Sequence, residues 1–308
     1  MTNSKPPIWR DYRFLQIATQ VIAVILAITI VIILWMNVNR NLQQLRINFG
    51  FDFLKQQASF DIGETLINYN PTDTYFRALW VGLINSLRVA ILGIILTTIV
   101  GVTAGIARLS DNWLVRNISL VYVEIFRNTP LLLQLLFWYF AVFLSLPKVE
   151  NKISVFGFIK LSQNGLEFLG FNLTPEFSTL LLGLTFYTGA FIAEIVRGGI
   201  KSVAKGQWEA GLSLGLKPTL LMRFVIFPQA LRVIIPPLTS QYLNLTKNSS
   251  LAIAIGYPDI YFVASTTFNQ TGKAVEVMIL IMLTYLTLSL IISLMMNLLN
   301  RTVQIKER

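Results

Sequence analysis

Six apolar runs, each near or above the roughly 20 residues a helix needs to cross a bilayer, decide what this chain can fold into. They cover residues 17–35, 87–107, 131–146 with an extension upstream, 177–196, 224–255 with breaks, and 275–299. Trp35, Trp80, Trp138 and Tyr139 mark several of them, as interfacial aromatic belts do. Composition agrees: 54% of residues are hydrophobic, 13% are charged, and the mean hydropathy is +0.63. The expected fold class is an all-α integral membrane protein with about six transmembrane helices. The first run lacks a small-residue cleavage site at its end, so it reads as a retained helix rather than a signal peptide. With no cysteine and no histidine, disulfides, thiolate chemistry, imidazole bases and histidine-held zinc or haem are excluded.

The net charge of +10 would point to nucleic acid in a soluble protein. Here the basic residues lie beside apolar spans, and orientation in the membrane is the simpler reading, with no nucleic-acid partner. Lys5, Arg10 and Arg13 precede the first span. Arg108 and Arg116 follow the second, Arg197, Lys201, Lys205, Lys217 and Arg223 follow the fourth, and Arg301, Lys306 and Arg308 follow the sixth. Counting six spans puts all of these on one side, 13 of the 25 basic residues. The longer loops of the other side hold Arg40, Arg46, Lys55, Arg77, Lys148, Lys152, Lys160 and Lys273. Both termini and the loop after the fourth span are thus expected in the cytoplasm.

Two spans are irregular. The third carries Glu124, Arg127, Asn128, Thr129 and Pro130 ahead of its apolar run. The fifth carries Pro228, Pro236 and Pro237, then a polar series from Thr239 to Ser250. Backbone broken by proline at membrane depth is tolerated only where protein or a water-filled cavity satisfies it. These stretches are the candidate transport path, with Arg127, Thr129, Gln241, Asn244 and Lys247 as its lining residues. A buried cation needs a partner, which a substrate carboxylate could supply. Glu124 or Glu194 could supply it instead within the chain, and Glu194 could pair with Arg197 three residues on. Gly101-x-x-x-Gly105 in the second span reads as ordinary close helix packing.

The loop after the fourth span is polar, basic and helix-forming. From Gly206 the sequence forms a short helix with Trp208, Leu212 and Gly215 on one stripe and Lys205, Glu209 and Ser213 on another. The helix dipole favours a carboxylate in the first turn, where this reading places Glu209. Gly215 suits the helix end, and Pro218 stops further extension. A short helix with an exposed apolar face fits either a protein groove or the lipid headgroups.

Spacing separates the two. Glu209-Ala210-Gly211, Gly215 and then Val225-Ile226-Phe227-Pro228 resemble the EAA motif of ABC-importer permeases. Gly211 departs from the motif's third-position alanine. It costs about 1 kcal/mol of helix propensity or allows closer approach by a partner. Ile125-Phe-Arg127-Asn-Thr129-Pro130-Leu-Leu, Gly189-Ala-Phe-Ile-Ala-Glu194-Ile-Val-Arg197-Gly-Gly-Ile, and Pro228-Gln-Ala-Leu-Arg232 with Lys247-Asn-Ser-Ser-Leu251 are similar to segments of polar amino-acid permeases. Ala204 stands where relatives often have proline. The resemblance, to the His/Gln permease family, covers residues 79 to the C-terminus. It implies a MetI-like core of five helices plus one extra N-terminal helix. It also implies that Lys205, Gly206, Trp208, Glu209, Ala210, Gly211, Leu212 and Gly215 form a coupling helix for a cytoplasmic ATPase dimer.

The further partners implied are a second, non-identical permease, an extracytoplasmic amino-acid-binding protein and the bilayer of a bacterial inner membrane. The longer family members that work in pairs share the extra N-terminal span and outer segment. ATP and magnesium would belong to the ATPase, since Gly-x-x-x-x-Gly-Lys-Ser/Thr is absent here and no cofactor is expected. The expected division is a cytoplasmic tail (1–16), an extra transmembrane helix (17–36), an extracytoplasmic segment (37–78), the importer domain (79–299, coupling loop 197–224) and a second tail (300–308). A proton-coupled secondary transporter using Glu124 or Glu194, and a non-transport scaffold subunit, are the alternatives.

Overall fold

The computed structural model describes residues 12–44, 49–155, 157 and 159–303. Lys5, Arg10, Arg46, Lys306 and Arg308 lie outside them, as does the Arg13 side chain. The chain forms two compact units, Met1–Phe51 and Asp52–Arg308. The first is built on helix α1, Tyr12–Gln44, longer than the expected 17–36 span. Trp35, Phe49 and Phe51 meet edge to face in series at its end.

In the second unit, four long apolar helical segments and one bent pair alternate between two ends among the described residues. Helix α2 (Tyr75–Ala107) starts twelve residues before the apolar run does, because Thr74 caps it by accepting from the Arg77 amide at 3.3 Å. Helices α3 (Trp113–Asn128) and α4 (Leu131–Leu136) follow, with a 107° bend at Thr129-Pro130, where the sequence is irregular. A π-helical stretch, Phe137–Val142, carries the chain on. Helix α5 (Pro175–Lys201) returns, α6 (Lys205–Ser213) lies in the loop, and α7 (Pro218–Leu221) leads through a π-helical turn, Met222–Ile226, into α8 (Phe227–Asn248). A 3-10 segment (Ser249–Ile255), α9 (Ile260–Thr271) and α10 (Ala274–Val303) complete it.

Helices α2 and α5 touch through glycine. A Cβ on Gly101 would stand 2.6 Å from Ile192 and 2.9 Å from the Gly189 carbonyl oxygen; one on Gly105 would stand 2.7 Å from the Ala193 oxygen. The Gly101-x-x-x-Gly105 packing reading therefore holds.

Two expectations need correction. Pro236 and Pro237 do not break the fifth span: α8 runs through both, and the irregular turns fall before Pro228 and after Asn248. Both prolines sit on the exposed side of α8. The all-α expectation omits a four-stranded antiparallel meander, β1 (Ile153–Val155), β2 (Ile159–Ser162), β3 (Gly165–Phe168) and β4 (Phe171–Leu173). Two-residue turns set its register, with Ser162 opposite Gly165 and Phe168 opposite Phe171. Leu169 and Gly170 in the second turn both take positive φ, +49° and +87°.

The sheet, residues 52–74 and α9 occupy one end, where residues 52–74, α2, α9 and α10 share a core of Phe53, Ile62, Tyr75, Val81, Val263 and Val277. Helix α6 marks the opposite end, over a core of Ile192, Val196, Leu221, Ile226, Ile234 and Met296.

Candidate functional site

Helix α6 is short, and its C-terminal cap and packing hold it. Ala204 at its N-cap offers no side-chain acceptor. Its C-terminus closes in a Schellman arrangement: the Leu216 amide donates to the Gly211 carbonyl at 3.1 Å and the Gly215 amide to the Leu212 carbonyl at 2.9 Å. Gly215 takes φ +75°, the left-handed conformation that such an end requires. Trp208 is half-buried against the core that contains Leu221. Gly211 is buried, and a Cβ there would lie 2.3 Å from Leu221 Cδ1. The Gln229 amide on α8 donates to Gln207 Oε1 at 3.1 Å, a second tie between α6 and the span that follows.

What remains outside is Lys205, Gly206, Glu209, Ala210, Leu212 and Leu214, the last 82% exposed. Three expectations change. Glu209 is the fifth helical residue, past the first turn, because the helix begins at Lys205. Trp208 and Leu212 do not share one exposed stripe, since Trp208 turns inward beside Gly211 and Leu212 outward. The close approach that Gly211 permits is by Leu221 of the same chain.

At this end of α5, Arg197 grips Glu194 with Nε at 3.1 Å from both carboxylate oxygens and one terminal nitrogen at 2.7 Å from Oε2. Arg108, at the end of α2, pairs with the same carboxylate. The i,i+3 pairing expected from the sequence is present, and it also bridges two spans.

The candidate path residues fall in two groups. Arg127 and Thr129 lie at the α3–α4 bend, both exposed. The Arg127 guanidinium stands 5.3 Å from the Phe191 ring centre and joins no ion pair among the described residues. Thr129 Oγ1 donates to the Ile125 carbonyl at 2.9 Å. Gln134 fastens the bend from below. Its amide reaches the Phe126 carbonyl (3.0 Å), the Thr129 carbonyl (3.0 Å) and Thr129 Oγ1 (2.7 Å). On α8, Ser240, Asn244 and Lys247 recur every three or four residues along an exposed strip, with Gln241 at its edge. Tyr242, Leu245 and Thr246 face the core. No hydrogen bond or ion pair among the described residues joins the two groups.

Residues 93–305 match the model of the binding-protein-dependent transport system inner membrane component family. The chain belongs to this family. It is an ABC permease subunit, a multi-pass inner-membrane protein, and not itself an ATPase. The permease is 41% identical to the putative amino-acid ABC transporter permease protein YhdX of Escherichia coli, over 94% of each chain. It is 38% identical to the general L-amino acid transport system permease protein AapQ of Rhizobium johnstonii, over 97% of this chain and 94% of that one. A crystal structure of an amino acid ABC transporter with histidines superposes at a TM-score of 0.60, with 28% identity over 74% of this chain and 95% of the other. An inward-facing MetNI methionine ABC transporter matches the fold alone, at a TM-score of 0.57 and 17% identity over 74% and 97%.

The permease also holds a charged pair that the sequence reading passed over. Arg88 of α2 pairs with Glu64, whose second oxygen accepts from Thr174 Oγ1 at 2.5 Å. The signal was available, since Arg88 interrupts the apolar run of α2 and an intramembrane cation marks a functional position by default.

Proposed function

We propose that this permease is one translocation subunit of a bacterial amino-acid importer, and that α6 is the element on which a cytoplasmic ATPase dimer pulls. The observation that carries the reading is the contrast within α6. One face is tied to α7 and α8 by Trp208, Gly211 and Gln207. The other presents Lys205, Gly206, Glu209, Ala210, Leu212 and Leu214 to no side-chain partner among the described residues. Such a helix transmits displacement to the span it is tied to and leaves its outer face for a soluble groove. The Schellman end at Gly215 keeps it from fraying under load. ATP and magnesium stay with the ATPase, whose differing contacts in its two states supply the free energy. The spans answer by alternating access.

Amino-acid cargo is supported by the relatives' names and by the solved transporter with histidines. An extracytoplasmic binding protein delivers it at the sheet end. The exposed strip of α8, with Gln241, Asn244 and Lys247, and the exposed Arg127 and Thr129, form the path together with a second, homologous and non-identical permease. Both termini and α6 face the cytoplasm, as Arg108, Lys201, Lys205, Lys217 and Arg301 at the α6 end support. Residues 79–299 form the importer domain.

Glu209→Lys tests the reading. Uptake by whole cells should fall at least tenfold, and the ATPase should co-purify poorly, while the protein stays inserted in the membrane. A reversed charge on the outer face of a docking helix costs several-fold to a hundredfold in affinity. Normal uptake by this variant would sink the assignment.

A further inference from the structure

At the sheet end a cavity of 730 Å³ opens between α2, residues 63–66 and the β3–β4 hairpin. Its size lies within the roughly 300–1,000 Å³ of small-molecule sites. Arg88 and Glu64 stand in its wall, with Thr174 beside them. Leu92, Phe168 and Phe171 give it an apolar side. Arg88 is the fourteenth residue of α2, about 20 Å along the helix from its start. That is the start of the apolar run, where a guanidinium is costly unless paired, and the structure supports it twice. Glu64 takes its charge, and its carbon Cζ lies 3.8 Å from the centre of the Phe177 ring. Glu64 is fixed in turn, since the Asn85 amide donates to its backbone carbonyl at 2.8 Å. The two side chains are nevertheless not sealed, with 18% and 13% of their surfaces exposed.

We propose that this cavity binds the head group of a zwitterionic α-amino acid, the Arg88 guanidinium taking the carboxylate and the Glu64 carboxylate taking the ammonium. The proposal rests on the amino-acid cargo argued above. A zwitterion can open an Arg–Glu pair without stranding either charge. Each partner exchanges one opposite charge for another, and the site is neutral both empty and loaded, so neither state carries an uncompensated buried ion. Arginine's planar fork matches a carboxylate in two parallel hydrogen bonds, and Phe177 behind it keeps the fork in place when Glu64 turns away. Thr174 Oγ1 already donates to the Glu64 carboxylate and leaves its other lone pairs for the ammonium. The ligand's side chain then lies against Leu92, Phe168 and Phe171. The site would be an outer station, at the end of the bundle remote from α6.

The rival account is a clamp that merely pins residues 63–66 to α2. The complete importer in proteoliposomes separates the two, with L-glutamine and its decarboxylated analogue 4-aminobutanamide as probes. Arg88→Gln should raise the half-saturating L-glutamine concentration at least tenfold and abolish the preference for L-glutamine over the analogue. The double variant Arg88→Glu with Glu64→Arg rebuilds the ion pair with its polarity reversed. A clamp predicts that it restores wild-type half-saturation and preference; a zwitterion site predicts that it does not. If Arg88→Gln fails to assemble, Arg88→Lys keeps the ion pair and loses the fork, and its half-saturation should still rise severalfold. An unchanged value in Arg88→Lys, or restoration by the double variant, overturns the site. If wild type moves none of the twenty L-amino acids, the cargo reading fails instead.

Discussion

Helices α5 and α8 leave the same loop, one on each side of α6, and their surroundings differ sharply. Two-thirds of the apolar window of α5 is buried (67%), against 28% for the segment that contains α8. Helix α5 is enclosed because glycine lets its neighbours approach: Gly101 and Gly105 admit Ile192 and the backbone of residues 189 and 193, and Gly199 admits Ile234. Helix α8 has a dry side of Ile234, Ile235, Leu238, Tyr242 and Leu245, and a wet one of Ser240, Asn244 and Lys247. One helix is therefore scaffold, over-determined within the chain. The other carries a polar strip that the described residues of this chain leave uncovered.

The difference can be broken from either side. The largest effect should come from Gly101→Leu. The new side chain is aimed at Ile192 and at a backbone carbonyl that has nowhere to go, and overpacking of this kind costs about 3 kcal/mol. The thermal unfolding midpoint of the purified permease should drop by several degrees; an unchanged midpoint would mean that α2 and α5 are not held as described. Next is Lys247→Ala. Its side chain closes no ion pair among the described residues, so stability should move by no more than about 0.5 kcal/mol. Uptake should fall about tenfold, the worth of one hydrogen bond to a charged group. Loss of complex assembly would instead make the α8 strip structural. A smaller effect concerns the sheet. Two lysines, Lys152 and Lys160, hold the Glu167 carboxyl down to about 2, below its ordinary 4.5. A depressed carboxylate stabilises above its unfolded value and loses that contribution as pH falls through the folded one. Amide exchange in β2 and β3 should therefore be constant from pH 8 to 5 once corrected for intrinsic rates, then speed up between about 4.5 and 2. A loss of protection already at pH 6 would show that another group governs the sheet.

Much of this was legible in the sequence because it is written in local signals. Spans come from apolar length, the bend from Thr129-Pro130, and the end of α6 from Gly215 and Pro218. What escaped depends on residues far apart in the chain. Glu64 and Arg88 are 24 positions apart and meet only when residues 52–74 fold over α2. Gly211 reads as a propensity defect until Leu221 comes around the turn to fill its place. Pro236 and Pro237 look like a break because each lacks an amide hydrogen and its ring crowds the carbonyl four residues back, yet α8 continues through both. The sheet was hidden by scale: its strands are three or four residues long, too short for alternation to show against the spans.

The left-handed Leu169 has a practical consequence for anyone who must handle this protein. A two-residue hairpin turn of this hand is best served by Asn-Gly, and here the second residue is already Gly170. Leu169 is 65% exposed, so its side chain gains little from burial, while a branched residue in that conformation costs about 1 kcal/mol. Leu169→Asn therefore relieves the turn and removes an apolar knob in one step. A detergent preparation of that variant should keep its hairpin better ordered and stick less to its neighbours, which is what a preparative chemist asks of a membrane protein.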